Sequence, residues 1–190
     1  MADLPLRCTC GKIEGHLTDF TPSMGTHAVC HCRSCRAGEL QCGAPDPGED
    51  GVHIFQISPH RLKITKGADH LAVFSFGPNN LLRWYASCCG APLFTTPRNP
   101  RTAFVGVRAT GFDSVDVVGP VAGHAFKLAK NGKTKHEGLM TFIWGAAQRI
   151  AMGRITGRWK QTPLFDAASG QPVATIEVLP KSRRSELLNA

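Results

Sequence analysis

The chain has 190 residues, 42% of them hydrophobic and 19% charged, and a formal net charge of +8. This is the balance of an ordinary globular protein, one domain with an appendage, long enough to bury a sizeable core. It excludes a membrane-spanning chain: the most apolar stretch, Leu139 to Met152, is about 14 residues long and contains Gly145, Gln148 and Arg149.

The start, MADLPLRCTCGK, has no apolar secretory region, so a cytoplasmic location is expected. From there the first 120 residues read as short strands separated by turn signals. Strands are predicted at Lys12–Thr18, Val52–Ile57, Arg61–Thr65, His70–Phe76, Leu81–Ser87 and Thr102–Val107. The Gly/Pro/Asp-rich segment Gly43–Gly51, Ser58-Pro59 and Gly77-Pro78-Asn79-Asn80 punctuate them as loops and turns. After Pro120 the pattern changes. Val121–Ala129 reads as a short helix and Lys130–Lys135 as a loop around Asn131-Gly132.

From Glu137 to Ile155, Leu139, Ile143, Ala146 and Ile150 recur at helical spacing, widened by Met140, Trp144, Ala147 and Ala151. That face predicts a helix packed on the sheet or at a subunit contact, with Gly138, Gly145 and Gly153 arguing against its continuity. A last strand is predicted within Pro172–Leu179, and a disordered tail after Pro180. The expected organisation is a β domain over 1–120 and a helical, basic C-terminal extension over 121–190.

The charge is uneven. Residues 1–100 hold nine Lys/Arg against eight Asp/Glu, whereas residues 101–190 hold thirteen against six. The run Lys127, Lys130, Lys133, Lys135 and the tail Lys181, Arg183, Arg184 form the basic half, either a solvated face or an attraction for anions. With one Tyr in the chain and no aromatics between these lysines, base stacking has little to work with, and nucleic acid is not the expected partner.

Eight cysteines carry the functional signal. In a reducing compartment they do not form disulfides, and their clustering favours a metal. Cys30, Cys32 and Cys35 put three thiolates into six residues, where they repel one another unless a cation sits between them. Zinc accepts such sulfur in tetrahedral geometry. Cys32 and Cys35 could instead form a redox pair, but nothing marks Cys32 as opening a helix after a strand. A fourth ligand of this group could be water, a substrate sulfur or Cys42. His31 lies in the same run, but alternation along an extended segment points it away from the sulfurs. Arg36, just beyond, offers a carboxylate partner or a plain surface charge. Cys8 and Cys10, followed by Gly11, can aim two more sulfurs at one ion, with Cys88 and Cys89 as the remaining candidates to close it.

The blocks CTCGKIEG, CHCRSCRAG and LRWYASCCGAPLF, in that order over residues 7 to about 95, resemble the signature blocks of the glutathione-dependent formaldehyde-activating enzyme family, which includes centromere protein V-like members. The resemblance implies an all-β, tent-like zinc-binding fold with a structural zinc and a second, catalytic zinc. Cys8 and Cys10 match the first half of the structural site, and Cys30, Cys32 and Cys35 match the catalytic ligands. The third block departs: with its second cysteine placed on Cys89, Ala86 stands where the first belongs, and Cys88 falls two places late. A branch of the family with this CCG variant and an extended C-terminus is the best match. Adjacent cysteines reaching one ion imply a strained backbone, so either Cys88 compensates or another ligand completes the site.

Two functions follow as expectations. One is a carbon–sulfur lyase acting on an adduct of an aldehyde with glutathione or another small thiol, using one structural zinc and a second, exchangeable one. The other is a non-catalytic zinc module that binds a protein or nucleic acid.

Overall fold

The computed structural model describes residues 2–129 and 132–190; Lys130 and Asn131, the centre of the expected lysine-rich loop, fall outside it. Alternating burial makes strands of Leu4–Arg7 (β1) and Glu14–Leu17 (β2), where Leu6, Gly15 and Leu17 turn inward. Thr26–Cys30 (β3) leads into the helix Arg33–Gln41 (α1). Six strands follow: Val52–Ile57 (β4), Leu62–Lys66 (β5), Leu71–Ser75 (β6), Leu82–Ala86 (β7), Pro92–Thr96 (β8) and Val105–Arg108 (β9). Beyond Pro120 come Gly123–Leu128 (β10), Thr134–Glu137 (β11), the helix Leu139–Ile155 (α2), Ile176–Val178 (β12) and the helix Lys181–Asn189 (α3). The fold is mainly β, with helices concentrated in its C-terminal part, as the strand pattern predicts.

The strands form two sheets, β1-β2-β5 and β11-β10-β3-β4-β9-β8-β7-β6-β12. Residues on both sides of position 120 thus share the larger sheet. Pairing is antiparallel except for β10 with β3 and β12 with β6. Leu6, Ile13, Leu17 and Leu62 meet Phe55, Ile57, Trp84, Phe94 and Val107 in the main core. Trp84 satisfies its one polar atom there by donating to Thr96 Oγ1 at 3.0 Å. A smaller core gathers Ala37, Phe74, Phe76, Leu179 and Leu187.

Four expectations are corrected. The segment read as a helix at Val121–Ala129 contains β10, because β3 offers it a parallel partner (Gly123 opposite Ala28, His124 opposite Val29) and pairing overrides local helix preference. The tail after Pro180 is α3, ordered by burial of Leu187 in the smaller core. The glycines within α2 do not interrupt it. Both face inward at close approaches: a Cβ on Gly145 would lie 2.9 Å from Thr26 Oγ1, and one on Gly153 2.8 Å from Ala103 Cβ. Finally, a helix does open at Cys32 directly after a strand, contrary to the sequence reading.

His60, between β4 and β5, has a buried Nδ1 with no hydrogen-bond partner among the described atoms. Burial, helped by Arg61, Arg158 and Lys63, pushes its pKa down to about 4. An unfolded chain takes up that proton near pH 6.5. Stability should therefore fall as pH drops below about 6.5 and stop falling on this account near 4. His60→Leu is expected to flatten that part of the profile, which equilibrium urea titrations of both proteins between pH 7 and 4 would measure.

Candidate metal centres

The first centre is built by two turns. After β1, the Cys8 N–H donates to Ile13 O at 3.0 Å and the Gly11 N–H returns to Cys8 O at 3.0 Å, which brings Cys10 beside Cys8. Between β7 and β8, the Cys89 and Gly90 N–H groups both donate to Ala86 O, at 3.2 and 2.8 Å. The sulfurs of Cys8, Cys10, Cys88 and Cys89 all lie within 4.8 Å of one another. Sulfur–sulfur distances of 3.6 Å (Cys8–Cys10), 3.9 Å (Cys8–Cys88) and 3.4 Å (Cys10–Cys88) are far too long for a disulfide. They approach the edge, about 3.8 Å, of a tetrahedron of sulfurs around zinc at ~2.3 Å. The donor set and its spacing fit zinc.

The expected strain at the adjacent pair is absent. Neither Cys88 nor Cys89 takes a left-handed backbone; Gly90 does, at φ +76°. A Cβ on Gly90 would also lie 2.5 Å from Cys42 O. Gly90→Ala should cost on the order of 1–3 kcal/mol and loosen metal held by Cys88 and Cys89. Thermal melts and competition with a chromogenic chelator would show both effects. Burial pushes the Cys8 thiol up, but the Ile13 N–H and the Cys10 and Cys89 thiols outweigh it and bring the group down to about 7. Cys88 takes the opposite role and is raised to about 12 by desolvation and its sulfur neighbours.

The second centre sits where β3 meets α1. Cys30 ends the strand, Cys32 is the N-cap, and Cys35 lies in the first helical turn. The Cys35 N–H donates to Cys32 Sγ at 3.3 Å, and Cys30 and Cys32 are 3.4 Å apart. All three sulfurs fall within 4.8 Å, and among the described residues no fourth Cys, His, Asp or Glu joins them. Without metal the trio shares charge unequally. Cys35 is held well below the usual thiol range by hydrogen bonds from Cys30 and Cys32, aided by Arg83 and Arg108, while Cys30 is driven up.

Those two arginines were not foreseen. Arg83 and Arg108 are almost completely buried beside the sulfurs. Arg83 donates to Ser34 Oγ at 2.9 Å, and Arg108 pairs with buried Glu39 on α1. Arg83 Nε and Arg108 Nη1 find no partner among the described atoms. The signal was present in LLRWYA and VGVR, each a charged residue inside an apolar strand.

Other candidates are placed elsewhere. Cys42 caps the end of α1 outside both sulfur groups, and burial pushes it up to about 12. With Glu39, His53, Cys89 and Arg108 it lines a cleft of about 440 Å³. Arg36 donates to Asp46 at 2.7 Å, so its charge is already matched. His31 stays outside the sulfur group, as alternation along the extended segment predicts, and meets His124 at 3.1 Å. His27 and His53 form a second imidazole pair at 2.9 Å.

A family model described as "Family of unknown function (DUF6151)" matches residues 1–177. The chain belongs to that family. The DUF6151 match includes all eight cysteines and both buried arginines and ends before α3. Among solved structures, a Rhodobacter sphaeroides protein is similar at 20% identity and a TM-score of 0.44, over 62% of this chain and 97% of that one. No curated protein matches this DUF6151 member.

Proposed function

We propose that this chain holds two zinc ions and acts as a carbon–sulfur lyase on adducts of small thiols, such as glutathione, with aldehydes. The observation that carries the reading is the unequal completion of the two centres. Four sulfurs close the first, whereas three protein donors gather at the second. A closed tetrahedral set is the mark of a structural zinc, and three protein ligands leave one position for water or substrate. The resemblance of CTCGKIEG and CHCRSCRAG to the formaldehyde-activating family supports the same division.

When bound at the second centre, zinc would supply a soft fourth position that holds a substrate sulfur as thiolate at neutral pH. The chain's own residues do the rest. Arg83 and Arg108 offset the negative charge of three clustered thiolates. The Cys35 N–H fixes the Cys32 side chain, and the α1 N-terminus adds its partial positive charge there. In the adduct the carbon–sulfur bond breaks with its electron pair left on sulfur, and loss of the hydroxyl proton releases the aldehyde. A polyanion-binding role is less well supported, because Lys127 and Lys135 of the β10–β11 hairpin both pair with Glu137.

Metal analysis of the purified protein should give two zincs per chain, falling to one in Cys32→Ser with the far-ultraviolet spectrum unchanged. Exchange spectroscopy on glutathione with formaldehyde should show faster adduct interconversion with the wild type than with Cys32→Ser. Two bound zincs with no acceleration for any of several thiol–aldehyde pairs would reject the lyase and leave the non-catalytic module. A single zinc in the wild type would reject the division itself.

A further inference from the structure

The cleft of about 440 Å³ has mainly apolar walls, among them Val52, Ala91, Pro92 and Leu93. A concave apolar space with a few convergent polar groups is the common form of a small-molecule site. Two sets of polar groups converge here.

The first belongs to an inner recess of about 10 Å³ that adjoins the cleft and shares Glu39, Cys42, Pro92 and Arg108 with it. Arg83 and Arg108 both line this recess, and they are only 6% and 3% exposed. Arg83 Nε and Arg108 Nη1 have no partner among the described atoms. Buried N–H groups left unpaired are rare and costly, so two of them on one recess point to an acceptor that fills it. There is room for a single oxygen atom. That oxygen brings no charge of its own. Three thiolates around one zinc carry one net negative charge and Glu39 a second, which together match the two guanidinium groups. The count rests on the zinc reading above. A carbonyl oxygen, with two lone pairs and no charge, suits two N–H donors.

The second set is a chain of two imidazoles. His27 Nδ1 lies 2.7 Å from Gly119 O, and a carbonyl only accepts, so the ring carries its proton on Nδ1. In a singly protonated ring Nε2 is then an acceptor, and His53 Nδ1–H donates to it at 2.9 Å. His53 is left with a bare Nε2. This residue lines the cleft, and its Nε2 has no protein partner among the described residues. Burial and the neighbouring imidazoles hold the ring below its ordinary pKa, so Nε2 stays an acceptor at neutral pH.

We propose that the cleft binds a short, uncharged, peptide-like amide with an apolar side chain. A carbonyl oxygen of the ligand accepts from Arg83 and Arg108, and one of its N–H groups donates to His53 Nε2. The protein thus offers donors at one place and an acceptor at another, and amides supply the complement of both without charge. A carboxylate in place of the amide would add a buried charge that nothing nearby balances.

The test titrates the full, zinc-replete chain with N-acetylleucinamide and with N-acetylleucine, by calorimetry and by nitrogen-15 spectroscopy of the histidines. The amide should saturate the protein with a dissociation constant of about 1 mM or tighter. The acid should bind about tenfold more weakly, and only the amide should move the His53 Nε2 resonance upfield, as a new hydrogen bond does. His53→Phe should weaken the amide by about tenfold with zinc content and circular dichroism unchanged. Arg83→Lys, which keeps the charge beside the thiolates but removes the Nε donor, should do the same. Absence of saturable amide binding, as when the recess holds only water, would overturn the proposal. So would tighter binding of the acid, or a His53 Nε2 that does not respond to the amide. Any of these in a chain that carries two zincs and speeds adduct interconversion would leave the lyase reading standing.

Discussion

Serine at Cys8 or Cys88 is expected to leave a chain that does not fold cooperatively and retains no zinc at the first centre. Cys8 is fully buried, and its sulfur lies 3.6 and 3.9 Å from those of Cys10 and Cys88. Cys8 and Cys88 are 80 residues apart in the chain, so one ion would tie the turn after β1 to the β7–β8 turn. Structural zinc sites of this kind contribute about 10–16 kcal/mol of apparent binding free energy, against a total stability of roughly 5–15 kcal/mol for a domain. Losing one ligand therefore removes a quantity comparable to the whole stability. Circular dichroism melts with parallel metal analysis would check this, with Cys42→Ser as the control. Cys42 belongs to neither sulfur group, so that variant should keep its fold and both zincs. Cooperative melting of zinc-free Cys8→Ser near the wild-type temperature would show that the sulfurs hold nothing.

The second large effect concerns Glu39 and Arg108. Both are buried, and the arginine faces the Cys30, Cys32 and Cys35 sulfurs as well as the carboxylate. Burial brings the Arg108 pKa down to about 10, with the neighbouring thiolates pulling the other way. Glu39→Ala strands this cation and should cost about 3–5 kcal/mol. Removing both charges with Glu39→Leu and Arg108→Met should recover most of that loss, because an apolar pair of similar volume needs no desolvated partner. The recovered variant should still be impaired at the second centre, where Arg108 offsets thiolate charge. Urea titrations separate the stability terms, and zinc retention under chelator competition reads the other. If the double variant held metal as well as wild type, Arg108 would serve only to neutralise Glu39.

The sequence foretold the two sulfur groups better than the architecture around them. Short spacing makes Cys8/Cys10 and Cys30/Cys32/Cys35 local facts, and Cys88 and Cys89 follow as the remaining candidates to complete the first group. The strand Val52–Ile57 is likewise legible, because its pattern and flanking turns are local. β10 was not, since GHAFKL becomes a strand only when β3 lies beside it. α1 was hidden because its N-cap is a cysteine, which ordinary capping preferences do not flag. The buried arginines are not legible locally, because a charged side chain is almost never fully buried unless a partner distant in sequence pairs with it. Only the three-dimensional closeness of Glu39 on α1 and three thiols explains why a guanidinium can stay inside.

The influence of α3 reaches further than its position suggests. α3 lies against α1, Arg183 donates to Gln41 at 3.0 Å, and Leu187 shares a pocket of side chains with Ala37. The helix that presents Cys32 and Cys35 is thus braced from behind by α3. Deleting or displacing α3 would be felt at the sulfurs. α3 should be kept intact in any preparation meant to measure how tightly the second ion is held.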